Sequence, residues 1–136
     1  MFHTIKDVVF SYSTKIKKIN FEEMQLAIQE KNTIIINTMK INEQDCLIIN
    51  TISFLKEETI MNELMDSNQI DIKIVVYGKN SIDNTVEHKC KQLIDLGFKN
   101  VSMYTGGMFE WLLLQDIYGE LNFLTTKKMV DILLFK

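Results

Sequence analysis

The chain is expected to fold as an α/β layered domain with a central, largely parallel sheet flanked by helices. Short, continuous, β-branched runs such as Thr33-Ile34-Ile35-Ile36-Asn37 and Ile72-Lys73-Ile74-Val75-Val76-Tyr77 read as strands buried on both faces. Between them, Ile60, Met61, Leu64 and Met65 recur at helical spacing. Strands alternating with helices close into a parallel sheet through right-handed crossovers.

The elements follow in order. Val8-Val9-Phe10-Ser11-Tyr12 reads as a short strand or an extended arm, which leaves 1–14 as an N-terminal arm. Asn20 is placed to cap a helix whose first turn carries Glu22 and Glu23, where the dipole favours acids. Met24, Leu26, Ala27 and Ile28 supply its apolar positions. After the 33–37 strand, Asp45-Cys46-Leu47-Ile48-Ile49-Asn50 reads as another strand, and Glu57 to Met65 as a helix. The 72–77 strand leads into the loop Gly78-Lys79-Asn80-Ser81-Ile82-Asp83-Asn84, with Asp83 or Asn84 as the cap of the next helix. That helix runs to Leu96, with Val86, Cys90, Leu93, Ile94 and Leu96 facing inward and Gly97 as its left-handed cap. Val101 to Tyr104 is a strand. Gly106 and Gly107 form a tight turn of positive φ, ahead of a short helix that Phe109 and Trp111 anchor to the sheet. The tail Lys128–Phe135 reads as a helix or a last strand. The strands 33–37, 46–50, 72–77 and 101–104 are expected in one sheet.

Composition narrows the function. A chain of 136 residues suits a single domain, 1–136, long enough to bury a core without staples. A net charge of −3 argues against a nucleic-acid partner. No apolar run approaches the roughly 18–20 residues that span a bilayer, so no membrane partner is expected. Residues 1–7 lack a signal-peptide pattern, and Cys46 and Cys90 read as reduced, buried thiols of a cytoplasmic protein. All fifteen cations are lysine, proline is absent, and Ala27 is the one alanine, a bias that fits an AT-rich coding sequence. Arginine's planar fork is the usual clamp for small oxyanions; this chain must hold them with lysine and backbone N–H groups. The eight methionines read as core filler. No metal or cofactor is implied. His88 reads as a surface helix residue, and Lys127-Lys128 is too short for a nucleic-acid patch.

Ile74-Val75-Val76-Tyr77, Leu96-Gly97-Phe98-Lys99-Asn100-Val101, and Gly106-Gly107 with Trp111, in this order and at these spacings, resemble a rhodanese-like domain. The resemblance covers residues 18–117 and implies the family's three-layer fold. Thr33–Asn37 resembles the family's "LIDVR" strand, although Asn37-Thr38-Met39 replaces its Asp-Val-Arg. Asp45–Asn50 resembles the "GHIPGAIN" segment, with Asn50 in the place of its asparagine. The loop and the Gly106–Gly119 stretch also resemble a divergent subgroup from large DNA viruses and protists, which implies host-cell cytoplasm or virion as location.

In active members the loop after the third of these strands opens with a nucleophilic cysteine, whose thiolate and persulfide are stabilised by loop N–H groups and the following helix. The corresponding residue here is Gly78. The resemblance therefore implies no catalytic residue, and a catalytically inactive domain used as a binding or structural module. The former active-site loop, Gly78, Lys79, Asn80, Ser81, Asp83 and Asn84, with Gly106 and Gly107, is the candidate binding mouth, at the carboxyl ends of the strands. Lys79 favours an anion there and Asp83 opposes one. The alternative is a sulfurtransferase with its cysteine relocated to Cys90 or Cys46. A Ser81–His88 pair is a further alternative. A protein partner or self-association is the expected interaction.

Overall fold

Four short strands form one parallel sheet in the order β1-β4-β3-β2: β1 is Lys17–Ile19, β2 Ile34–Asn37, β3 Ile74–Tyr77 and β4 Val101–Tyr104. The computed structural model describes residues 15–136; the Val8–Tyr12 segment and His3 lie outside them. Among the described residues, four α-helices flank the sheet: α1 Phe21–Ala27, α2 Phe54–Asp66, α3 Thr85–Asp95 and α4 Gly107–Tyr118.

Side chains alternate across the strands and so feed two cores. Ile35, Val75, Tyr77 and Tyr104 face α1 and α4, meeting Met24, Ala27, Met108 and Trp111. Ile36, Ile74, Val76 and Val101 face α2 and α3, meeting Met61, Leu64, Cys90 and Leu93. This is the three-layer α/β arrangement expected. The helix ends also agree. Asn20 accepts the Glu23 N–H at 2.9 Å while Glu23 returns to the Asn20 N–H, a full capping box. Gly97 ends α3 at φ 108°.

Several expectations need correction. β1 was not anticipated, since Ile19 is its one apolar residue and the exposed Lys17 and Lys18 fill the rest of this edge strand. Segment 46–50 is not a strand of the sheet. The backbone meets β2 just past it, through the Ile35–Thr51 bridge and the Ile52 N–H to Ile35 oxygen bond. Its backbone is taken up by the tail: Ile49 N–H reaches the Leu124 oxygen, and the Leu47 oxygen accepts from Thr126. The Ile48 N–H goes to the Tyr77 hydroxyl, and Asn50 turns the chain at φ 68°. Leu96 is exposed, one residue past the last turn of α3. Of the glycine pair, Gly107 alone has positive φ, 69°. The tail ends in a 3-10 turn, Ile132–Phe135.

Trp111 is fully buried, and Phe109 half-buried. The Trp111 indole N–H donates to the Leu124 oxygen at 3.1 Å, and its ring meets Phe123 edge-on at 5.1 Å. One turn on, Gln115 donates to the Phe123 oxygen. The same face of α4 thus seats the helix and fastens the tail. No helix among the described residues is long and apolar enough to cross a membrane. Trp111→Ala is expected to cost about 3–5 kcal/mol in urea denaturation. It should also speed amide exchange at Ile49 and Thr126, because the tail loses its main attachment.

Candidate functional site

The parallel register sets Asn37, Tyr77 and Tyr104 side by side at the carboxyl end of the sheet. The residues that follow them, Thr38, Gly78 and Thr105, therefore meet at one mouth. Tyr77 and Tyr104 end the strands beneath it. Both are fully buried, and burial pushes both phenols above the ordinary tyrosine range. The Tyr77 hydroxyl pairs with Thr51, and the Tyr104 hydroxyl donates to Glu110 at 2.7 Å.

Gly78 is buried, and its backbone is not in the left-handed region. Space makes it glycine. A Cβ there would lie 2.5 Å from Asp83 Oδ2, 2.6 Å from Val86 Cγ2 and 2.9 Å from Thr38 Oγ1. Its oxygen accepts the Met108 N–H, and the Lys79 oxygen accepts the Phe109 N–H, both at 2.9 Å. The loop carbonyls thereby satisfy the open first turn of α4. Gly107 permits the approach, because a Cβ on it would stand 2.9 Å from both Asn80 N and Gly78 O.

The loop is closed by its own side chains. Asp83 Oδ2 accepts the Lys79 N–H at 3.0 Å, and Oδ1 accepts the Thr85 N–H at 3.0 Å and the Thr85 hydroxyl at 2.6 Å. Partial burial opposes the charge on Asp83, but these bonds and the Lys79 ammonium outweigh it, and the carboxyl is held below its usual range. Of the two candidate caps Asp83 takes the role; Asn84 makes no side-chain cap bond. Asn80 accepts the Ile82 N–H and donates to the Phe135 oxygen at 3.1 Å, tying loop to tail. The Lys79 ammonium sits 3.0 Å from Glu43, whose carboxyl the pairing lowers. It does not point to a free anion seat.

The structure thus gathers Gly78, Lys79, Asn80, Asp83 and Gly107 into one bonded unit, with Gly106 beneath the folded-back Glu110 side chain. Ser81, Ile82 and Asn84 remain on the exposed rim of a groove of about 260 Å³. No hydrogen bond joins Ser81 to His88, which is exposed on α3. The cysteines lie elsewhere. Cys90 is fully buried in the core under α3, which pushes its thiol up to about 12. Cys46 is fully buried, its thiol also raised by burial, and donates to the Lys127 oxygen. Glu43, Thr38 and Phe135 were not anticipated at the loop. Thr38 was open to inference from strand order; no local signal marks the other two.

Gly78→Ala is expected to destabilise the fold by about 1–3 kcal/mol through overpacking, measured by denaturant midpoint at pH 7. Asp83→Asn tests the carboxylate. A lowered folded-state pKa stabilises above the unfolded value and is lost as pH falls through the folded one. The wild type should therefore exceed Asp83→Asn in melting temperature at pH 7, and the gap should shrink steadily below about pH 4.

Comparison with known proteins agrees with this architecture. The family model of the rhodanese-like domain matches residues 20–114. Among solved structures, the Alr3790 protein from Anabaena sp. is similar with a TM-score of 0.59 at 19% identity, over 85% of this chain and 97% of that one. A single-domain sulfurtransferase of Saccharomyces cerevisiae is similar with a TM-score of 0.55 at 14% identity, over 76% of this chain and 94% of that one. An uncharacterized protein of the same yeast gives 0.55 at 16% identity, over 73% and 92%. No curated protein matches the sequence.

Proposed function

Since the chain belongs to the rhodanese-like domain family, we propose that it is a member without sulfurtransferase activity, which serves as a binding or structural module. The observation that carries this reading is position 78. The residue there has no side chain, and the space for one is filled by Asp83, Val86 and Thr38. Sulfur transfer needs an accessible thiolate to accept and release the sulfane sulfur. The relocated-cysteine alternative is disfavoured because both thiols are fully buried with raised pKa, away from the loop. The Tyr-Gly-Lys-Asn loop and the Gly106–Gly119 stretch support the reading of a viral and protist subgroup.

A binding role falls to the outer rim. Lys79 and Asn80 are engaged with Glu43 and Phe135. Ile82, by contrast, is 88% exposed at the loop tip. An apolar tip beside a partly polar groove suits a shallow protein contact more than a buried small molecule.

Purified protein is expected to show no thiosulfate:cyanide sulfurtransferase turnover above blank, and no persulfide on Cys46 or Cys90 by mass spectrometry. Turnover lost on Cys90→Ser or Cys46→Ser would establish the relocated-cysteine enzyme instead. For the binding role, Ile82→Glu should lower recovery of partners from native cells about tenfold, a loss of about 1.4 kcal/mol, without moving the melting temperature. Unchanged recovery would remove this rim from consideration.

A further inference from the structure

We propose that Asp83 is a built-in plug, an internal anion that the loop holds where the family's active side chain would stand, and that Gly78 and Asp83 are interlocked so that neither can be changed alone without opening or straining the loop. This rests on the reading of the site as closed. The geometry is mutual. The Lys79 N–H, next after Gly78, and the Thr85 N–H, first of α3, both end on the Asp83 carboxylate, one on each oxygen. The Thr85 hydroxyl donates to Asp83 and accepts from the Thr38 hydroxyl at 2.8 Å, so the end of β2 belongs to the same lock.

Donors that would otherwise face a negative side chain or a small oxyanion are thus satisfied from within. The same carboxylate oxygen stands 2.5 Å from where a Cβ at 78 would sit, and Val86, in the first turn of α3, stands 2.6 Å away. A side chain at 78 must displace both. Val86 is buried and β-branched, so it cannot swing aside cheaply. A thiolate placed there would also face a carboxylate, which disfavours its ionisation. The loop is a packed joint that turns strand into helix, and contact with any partner is left to Ser81, Ile82 and Asn84 on its outside.

Two measurements on the full chain test the plug, neither requiring activity. In the first, Asp83→Ala is compared with wild type by amide hydrogen exchange. The Lys79 and Thr85 amides are expected to exchange at least about tenfold faster, with Val76 in the sheet unchanged. Unchanged rates at both amides would overturn the plug. In the second, the thiol introduced by Gly78→Cys is titrated with an aryl disulfide, which releases one aryl thiolate per thiol attacked. The wild type supplies the background from Cys46 and Cys90. The single variant should react at least about tenfold more slowly than the triple variant Gly78→Cys, Asp83→Ser, Val86→Ala. Equal rates in two folded proteins would show that position 78 was never blocked. If the single variant does not fold, the exchange result decides. Sulfurtransferase turnover by wild type would defeat the inactive reading while leaving the exchange result standing, so the two failures are distinguishable.

Discussion

Everything in this domain is referred to β3. All four of its residues, Ile74 to Tyr77, have no solvent exposure, and the strand is paired on both edges. A strand buried on both faces between two parallel neighbours has its register set by both. One residue beyond its end, the chain has no freedom in where it places position 78. That residue sits under the start of α3, beside the end of β2, and against the start of α4. The geometry that in a rhodanese-like domain can aim a reactive side chain is retained here as a crowded junction.

The electrostatics of the junction are self-contained. Two carboxylates, Asp83 and Glu43, flank Lys79, and both are held charged by it and by neighbouring hydrogen bonds. Replacement of a diffusing anion by a tethered carboxylate removes the entropic cost of capturing a ligand, and leaves a loop whose shape does not depend on one. The opposite side of the mouth is equally occupied. The phenol of Tyr104 is bound to Glu110, and the first free N–H groups of α4 are bound to loop carbonyls.

The tail explains the largest departure from the expected sheet. Residues 124–127 bond to 46–49, while Trp111 and Gln115 hold the tail from α4. Phe135 then plugs the same core and returns to Asn80. A segment with one apolar face needs some partner for its backbone. For 45–50 that partner lies about 80 residues away in sequence, in a stretch rich in polar residues with no strand pattern of its own.

Particular residues show what was legible in the sequence. The alternation of β-branched runs and helical spacing declared the α/β class, because burial on both faces of a sheet and on one face of a helix leaves different periods. Asn20, Gly97 and Gly107 could be read as caps and turns because their local chemistry is self-sufficient within a few residues. That position 78 carries no side chain was readable directly. The sequence alone did not decide where Cys46–Asn50 would pair, that Lys17–Ile19 would close the sheet edge, or that Lys79 would be spent on Glu43. Each of these depends on which distant backbone or charge competes best for the group. Asp83 illustrates the boundary: its capping role was a local reading, but its carboxylate filling the space in front of Gly78 arises only when β2, β3 and α3 are packed together and the volume between them is fixed.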